Sequence, residues 1–487
     1  MNRIKSLIPF LTVMMFCGLL FVSGCSDPRY LSEKLYWQAE KNFAAVSAEK
    51  GKDLSEADFR RIISGYEKVI KEFPLEALAA KAHFKISNLY LSRKMFDKAR
   101  EELKTIICNF SSNSSTAAGA QFSLAKIYEI EQNKNRALTE YEKIPELYPL
   151  TSLGLQTPLY LVQYLSPEDK TGSEEYYHRY LEHYRKVLND YSDTSVAPRI
   201  LQYIALIHGI SGNTEKSLEA YDRIIDEFPL SKDAFQALAA KAEMYLKKLN
   251  DIPSAISVYE VLTDNYSEIP LTANFKAQLG WLYLKQGDVS RAEELFRAVK
   301  SNEHSLKEAK MSSFLGLAYI FREQKKIEKA VLLYEQIRDD FADSRVAVAV
   351  PFLIARLYLE AEDSRAGSAL DAAIWDYEDM LKYLSSGKKQ RTAAHYLTLA
   401  YLQNNEPEKA LSVLEKLVRQ YPDSPGYMLD VAQMYAGLKQ NEKAIDVYSS
   451  LIDKYTDNEY LVNLSRSKIE QIHSMDTVPE LPGPGLD

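Results

Sequence analysis

The chain has 487 residues, with 60 Lys+Arg against 68 Asp+Glu for a formal charge of −8, 46% hydrophobic residues, and only 18 Gly and 18 Pro. That composition excludes collagen-like, low-complexity and polytopic membrane proteins. Its Lys/Arg runs are pairs such as Lys325-Lys326 and Lys388-Lys389, which argues against a nucleic-acid partner, since phosphates call for a clustered positive surface.

At the start of the chain, Arg3 and Lys5 precede an uncharged apolar run from Leu7 to Val22. Sixteen residues are too few to cross a hydrocarbon core of about 30 Å, which needs roughly 20. A basic start, a short apolar core and small residues after it read as a secretory signal. The ending Val22-Ser23-Gly24-Cys25 resembles the bacterial lipobox. That resemblance implies cleavage before Cys25, a diacylglycerol on its thiol and, from Ser26 in the next position, an outer-membrane destination on the periplasmic face. Cys17 then leaves with the signal and Cys25 is acylated, so Cys108 is alone and no internal disulfide is possible. Its setting, Ile106-Ile107-Cys108, predicts a buried, inert thiol.

From residue 55 onward the chain repeats itself, after an irregular helix pair that begins near Leu31. A small residue recurs at Ala99, Ala137, Ser217, Ala255, Ala292, Ala330, Ala373, Ala410 and Ala444, with Tyr180 as a bulky exception. Four residues later stands Leu103, Tyr141, Tyr184, Tyr221, Tyr259, Phe296, Tyr334, Tyr377, Leu414 or Tyr448, and seven later an aliphatic residue or Met. Spacings of four and seven share one helix face. Nine residues before the small position an aromatic or His closes an earlier amphipathic helix at Tyr90, Tyr128, His208, Tyr283, Phe321, Tyr401 and Tyr435. Each unit therefore reads as helix, tight polar turn, second helix and stop, the stop often an aromatic before proline as in Tyr148-Pro149 or Phe228-Pro229. Most of the 33 tyrosines are expected in the core, with the hydroxyl reaching a groove edge.

Leu279-Gly280, Tyr283, Gly287, Ala292 and Phe296 follow the order of the tetratricopeptide repeat, and the whole pattern resembles that family. The resemblance implies an all-α, right-handed superhelical solenoid of about eleven helix pairs. The longer period of 37 to 38 residues resembles BamD-like outer-membrane assembly lipoproteins and Tol-Pal-associated periplasmic repeat proteins. The organisation expected is a signal peptide over 1–24, an anchor and irregular helix over 25–54, repeats over 55–192 and 193–456, a capping helix over 457–475 and a disordered tail over 476–487. Two seams interrupt the period, 150–172 with Gly154, Pro158, Pro167 and Gly172, and Glu362 to Gly367, each giving a 43-residue gap. The β-branched run Val346–Val350 is expected to be helical, with Pro351 in the helix's first turn.

Chemistry-bearing motifs are lacking. There is no His-Glu-x-x-His, Gly-x-Ser-x-Gly, P-loop or Cys-x-x-Cys, and His178 and His183 are five apart, about 140° around a helix. The expectation is a non-enzymatic scaffold without cofactor or metal, anchored in the envelope through Cys25 and binding envelope proteins in a groove. A scaffold for exopolysaccharide export or secretion is the alternative, and an accessory to a cell-wall hydrolase a distant one. The core stripe of the first helices, marked by Leu124-Ala125, Ile204-Ala205 and Leu317-Ala318, leaves Asn88, Lys126, Gln202, Trp281, Tyr319 and Arg322 facing that groove. Trp281, beside Gly280, is either a wedge between repeats or an anchor for a ligand.

Overall fold

In nearly every repeat the first helix ends in the same tight turn. Four residues after the closing position the backbone enters the left-handed region, at Lys94 (φ 56°), Gln132 (60°), Gly212 (81°), Gly287 (87°), Lys325 (56°), Glu362 (53°), Asn405 (56°) and Lys439 (56°). A residue with a Cβ loses about 1–2 kcal/mol there. The loss is offset because the next N–H returns to the closing carbonyl, as from Met95 to Tyr90 at 2.9 Å and from Lys326 to Phe321 at 2.8 Å. The following helix is then capped by a side chain in several repeats. Asn133 accepts from the Arg136 N–H at 3.3 Å, and Asp288 from that of Arg291 at 3.1 Å.

The computed structural model describes residues 28–50, 55–165, 170–192, 194–384 and 387–476. The expected signal peptide over 1–24, Cys25, and residues 477–487 of the expected tail lie outside them. No strand occurs among the described residues. The chain divides into two units, Met1–Leu249 and Asn250–Asp487. The first holds α1 (Pro28–Lys50), α2 (Glu56–Glu72), α3 (Ala77–Ser92), α4 (Phe96–Asn109), α5 (Ser114–Ile130), α6 (Lys134–Leu147), α7 (Ser152–Leu165), α8 (Lys170–Asp190), α9 (Ala197–Ile210), α10 (Thr214–Glu227) and α11 (Lys232–Met244), which widens into a π turn over Tyr245–Leu249. The second holds α12 (Ile252–Asn265), α13 (Thr272–Gln286), α14 (Val289–Ser301), α15 (Lys307–Glu323), α16 (Ile327–Asp340), α17 (Arg345–Glu360), α18 (Ala366–Tyr383), α19 (Lys388–Gln403), α20 (Pro407–Gln420), α21 (Pro425–Gly437), α22 (Asn441–Lys454) and the capping α23 (Glu459–Asp476). Among the described residues each unit contains five consecutive helix pairs, α1–α10 and α13–α22. The eleventh pair expected, over residues 232–265, falls on the division between them.

The core is the small–aromatic–aliphatic stripe. Every small position, Tyr180 included, and every residue four after it is buried. Phe296 of α14 shows why small residues stand opposite the rings. A Cβ on Gly280 of α13 would lie 2.7 Å from that ring, and one on Gly316 of α15 only 2.3 Å from it. The ring is clamped between two backbones and is fully buried.

At both seams a proline sits inside a first helix, Pro158 in α7 and Pro351 in α17. Pro351 was expected in the first turn. It is the seventh residue instead, because Ser344 caps α17 by accepting from the Ala347 N–H at 3.0 Å and so starts the helix earlier. The broken backbone ladder is repaired by a buried tyrosine of the following helix. The Tyr377 hydroxyl accepts from the Phe352 N–H at 3.1 Å and donates to the Ala349 carbonyl at 3.3 Å. Tyr184 does the same beside Pro158, bonding the Leu159 N–H and the Leu155 carbonyl. At the second seam the inter-helix turn is lengthened to residues 361–365.

Cys108 was expected to be buried and is exposed. The stripe of α4 is Ala99, Leu103 and Ile106. Two residues past Ile106 is about 200° around the helix, on the solvent side.

Gly316→Ala gains up to about 1 kcal/mol of helix propensity but overpacks a ring that cannot move, at about 1–3 kcal/mol. The expected net loss is about 1–2 kcal/mol by urea unfolding. Gly367→Ala, with nothing within 4 Å of its added Cβ, should lose nothing.

Candidate functional site

In the second unit, Trp281 on α13 projects two residues before the closing Tyr283, and Tyr319 occupies the same place on α15 before Phe321. Trp281 packs edge-on against Phe296, with centroids 5.5 Å apart at 65°, and its ring lies 6.1 Å from that of Tyr319. Its Nε1 donates to Ser312 Oγ at 3.0 Å. Even so, Trp281 is 36% exposed and Tyr319 39%. Trp281 therefore combines both readings: one edge wedges against the core ring while the rest of the indole is offered to solvent.

Arg322 completes this patch. Its guanidinium lies 4.9 Å from the Tyr319 ring centroid, within cation–π range. It also pairs with Glu323 at 2.8 Å and lies 3.9 Å from Glu360 of α17. Burial alone would lower the Arg322 pKa, but the two carboxylates outweigh it and hold the charge in place. Beside it opens a cavity of about 620 Å³, lined by Arg322, Glu323, Leu357 and Glu360 among others. An aromatic shelf next to a charged recess can seat an apolar side chain and orient polar groups around it.

The other sequence candidates do not join this patch. Lys126, on α5 of the first unit, is held in a network. Its Nζ donates to both Glu129 oxygens, at 3.0 and 3.1 Å, and to the Tyr160 hydroxyl at 2.9 Å. Tyr141 and Tyr160 also donate to Glu129, at 2.6 and 2.8 Å. Burial would raise the Glu129 pKa, but these donors and the Lys126 charge outweigh it and leave the pKa lowered. Tyr160 and Tyr164 stack at 5.8 Å and 19° beside this network. Sequence reasoning missed Glu129 and Tyr160 as partners of Lys126, although Tyr160 and Tyr164, an aromatic pair four residues apart on one helix, were a usable signal. Gln202 is half-buried, and its Nε2 donates to Gln236 Oε1 at 3.4 Å. Asn88 is exposed and makes no side-chain hydrogen bond among the described residues. No group of three or more His, Cys, Asp or Glu able to hold a metal occurs among the described residues, and none of the described helices is long and apolar enough to cross a membrane.

Residues 277–345, which carry Trp281, Tyr319 and Arg322, and residues 397–459 match the tetratricopeptide repeat family. These stretches are tetratricopeptide repeats. No curated protein matches the sequence. Among solved structures, yeast Tom70 is similar at 12% identity, covering 94% of this chain and 98% of its own, with a TM-score of 0.41. A tetratricopeptide repeat protein from Parabacteroides merdae is similar at 14% identity over 54% of this chain and 91% of its own, with a TM-score of 0.34. Naa15/Naa10 bound to HypK is similar at 13% identity over 93% and 69%, also at 0.34. The two matched stretches support a protein-interaction scaffold.

The Glu129 network has a pH signature. A carboxylate with a lowered folded pKa adds stability above its unfolded value, here 4.5, and that stability is lost as pH falls below it. Glu129→Gln should cost about 1–3 kcal/mol at neutral pH. It should also flatten the decline of thermal stability between pH 5 and pH 3, measured as melting temperature against pH.

Proposed function

We propose that this protein is a lipid-anchored adaptor of the bacterial cell envelope, held at the periplasmic face of the outer membrane through Cys25, which docks envelope proteins on the first-helix face of its second unit. The observation that carries the docking reading is the exposed pair Trp281 and Tyr319 with Arg322 beside it, inside a stretch that matches the tetratricopeptide repeat. Large aromatics and arginine are the side chains that most often dominate binding energy at protein interfaces. Leaving two such rings over one-third exposed goes beyond packing, because Phe296 already fills the wedge between repeats. The anchor reading is supported by the basic start, the short apolar run and Val22-Ser23-Gly24-Cys25.

Envelope extract passed over the immobilised mature chain, with bound proteins identified by mass, tests the docking reading. Trp281→Ala and Arg322→Ala should each lose the specific partner while keeping the far-ultraviolet circular dichroism of the parent. If both variants retain every partner, the docking face lies elsewhere. Independently, Cys25→Ala should move the protein out of the detergent phase in phase partitioning. A variant that still partitions with membranes would remove the lipid anchor.

A further inference from the structure

The two units share a hidden register. Ala99, Ala137, Tyr180 and Ser217 recur 193 positions later as Ala292, Ala330, Ala373 and Ala410, and Pro158, Tyr184 and Tyr203 recur as Pro351, Tyr377 and Tyr396. The structure repeats with them. Tyr184 stacks on Tyr203 at 5.6 Å and 12°, and Tyr377 on Tyr396 at 6.2 Å and 21°. Each unit also holds a cavity just after its seam, about 290 Å³ in the first and 490 Å³ in the second. The floors correspond residue for residue: Leu188, Leu201, Ile204 and Ala220 in the first, Leu381, Ala394, Leu397 and Val413 in the second. Each unit thus serves as the other's reference.

Against that reference the two seam cavities differ in their charged and polar groups. At three junctions of the second unit the closing tyrosine of a first helix donates to a glutamate of the preceding second helix: Tyr283 to Glu260, Tyr401 to Glu378, and Tyr435 to Glu415 at 2.5 Å. At the equivalent of Tyr401 and Glu378 the first unit has His208 and Arg185. His208 is only 6% exposed, lines the cavity, and its ring nitrogens have no hydrogen-bond partner among the described residues. The imidazole stands in the wall of an open cavity, where a bound ligand can accept from it. The rim is cationic, with Arg185, Lys216 and Arg223 against one acid, Glu219. Arg185 and Arg223 also meet Glu182 and Glu227 on their own helices, at 2.6 and 2.8 Å, in exposed pairs that bind weakly. Lys216 has no such partner. Burial first, and then Arg185 and Lys216, hold the His208 imidazole below its ordinary value, which reports a positive field at the ring.

From this geometry we infer that the seam cavity of the first unit is a binding site for a small aliphatic carboxylate, with its branched chain on Leu188, Leu201 and Ile204 and its carboxylate facing Arg185, Lys216 and a ring N–H of His208. The site is separate from the Trp281 patch and independent of what docks there.

The test is calorimetric titration of the full mature chain with 4-methylpentanoate, its neutral twin 4-methylpentanamide, and sodium chloride at matched ionic strength. The acid should bind, and the amide should bind about tenfold more weakly or less, the value of a charge-assisted contact. The double variant Arg185→Glu with His208→Tyr installs the pair already accommodated in the second unit, so it should fold and lose the acid. Lys216→Gln, at an exposed position, should weaken binding whether or not that double variant folds. Equal binding of acid and amide, an effect matched by chloride, or undiminished binding to Lys216→Gln would each overturn the site. A capped glutamate, N-acetyl-glutamate N-methylamide, binding where 4-methylpentanoate does not would overturn the small ligand in favour of a partner's side chain.

Discussion

Everything in this fold depends on one contact, a large side chain on each second helix, in most repeats a ring, set against a small residue on its neighbours. Phe296 makes the constraint visible, since its faces are closed by Gly280 and Gly316 and neither backbone could carry a side chain there. Burying one such ring is worth about 1.5–3 kcal/mol, and stacking repeats makes those contributions roughly additive along each unit. Because the contact fixes how closely two helices approach, the surrounding residues are free to vary. The turns show that latitude, with Lys, Gln, Glu and Asn taking a left-handed position that Gly fills only at Gly212 and Gly287.

The choice of tyrosine over phenylalanine follows from what the ring's far end meets. Where a carboxylate lies within reach the hydroxyl donates to it, as Tyr283 does to Glu260. Where a proline has broken a first helix, the hydroxyl takes over the backbone's lost bonds, as Tyr377 does at Phe352 and Ala349. The two long gaps in the repeat period are thus places where a tyrosine substitutes for helix continuity. Proline is tolerated there at less than its usual cost because the N–H next to each proline is satisfied from outside the helix.

Much of this was legible in the sequence, because small–aromatic–aliphatic spacing is a direct image of a helix face. The pairing, the turns and the buried stripes follow from Ala99, Leu103 and Ile106 and their counterparts. What was not legible depends on which way a side chain leaves a helix and on what a distant helix brings to it. Cys108 looked buried because its neighbours are apolar, yet it sits past the stripe. Lys126 looked available because nothing local pairs with it except Glu129, and the deciding partner, Tyr160, comes from two helices on. The 193-residue register was present in the letters all along, but it surfaces only when two cavities with corresponding floors are set side by side.

The position two residues before each closing aromatic carries the last step. The repeat places it identically on successive first helices and asks nothing of it, since the core contact is made elsewhere. It holds Asn88, Lys126, Leu206, Trp281, Tyr319, Arg356, Leu399 and Gln433 in turn. A fold that needed this side chain would restrict it to one size or polarity, as it restricts the small position to Ala, Ser or a single Tyr. Free variation in chemistry at a fixed geometry makes this row of residues the surface on which partner choice can be written without disturbing the scaffold. Trp281 and Tyr319, adjacent in that row and close enough for their rings to touch, are where it is most strongly apolar.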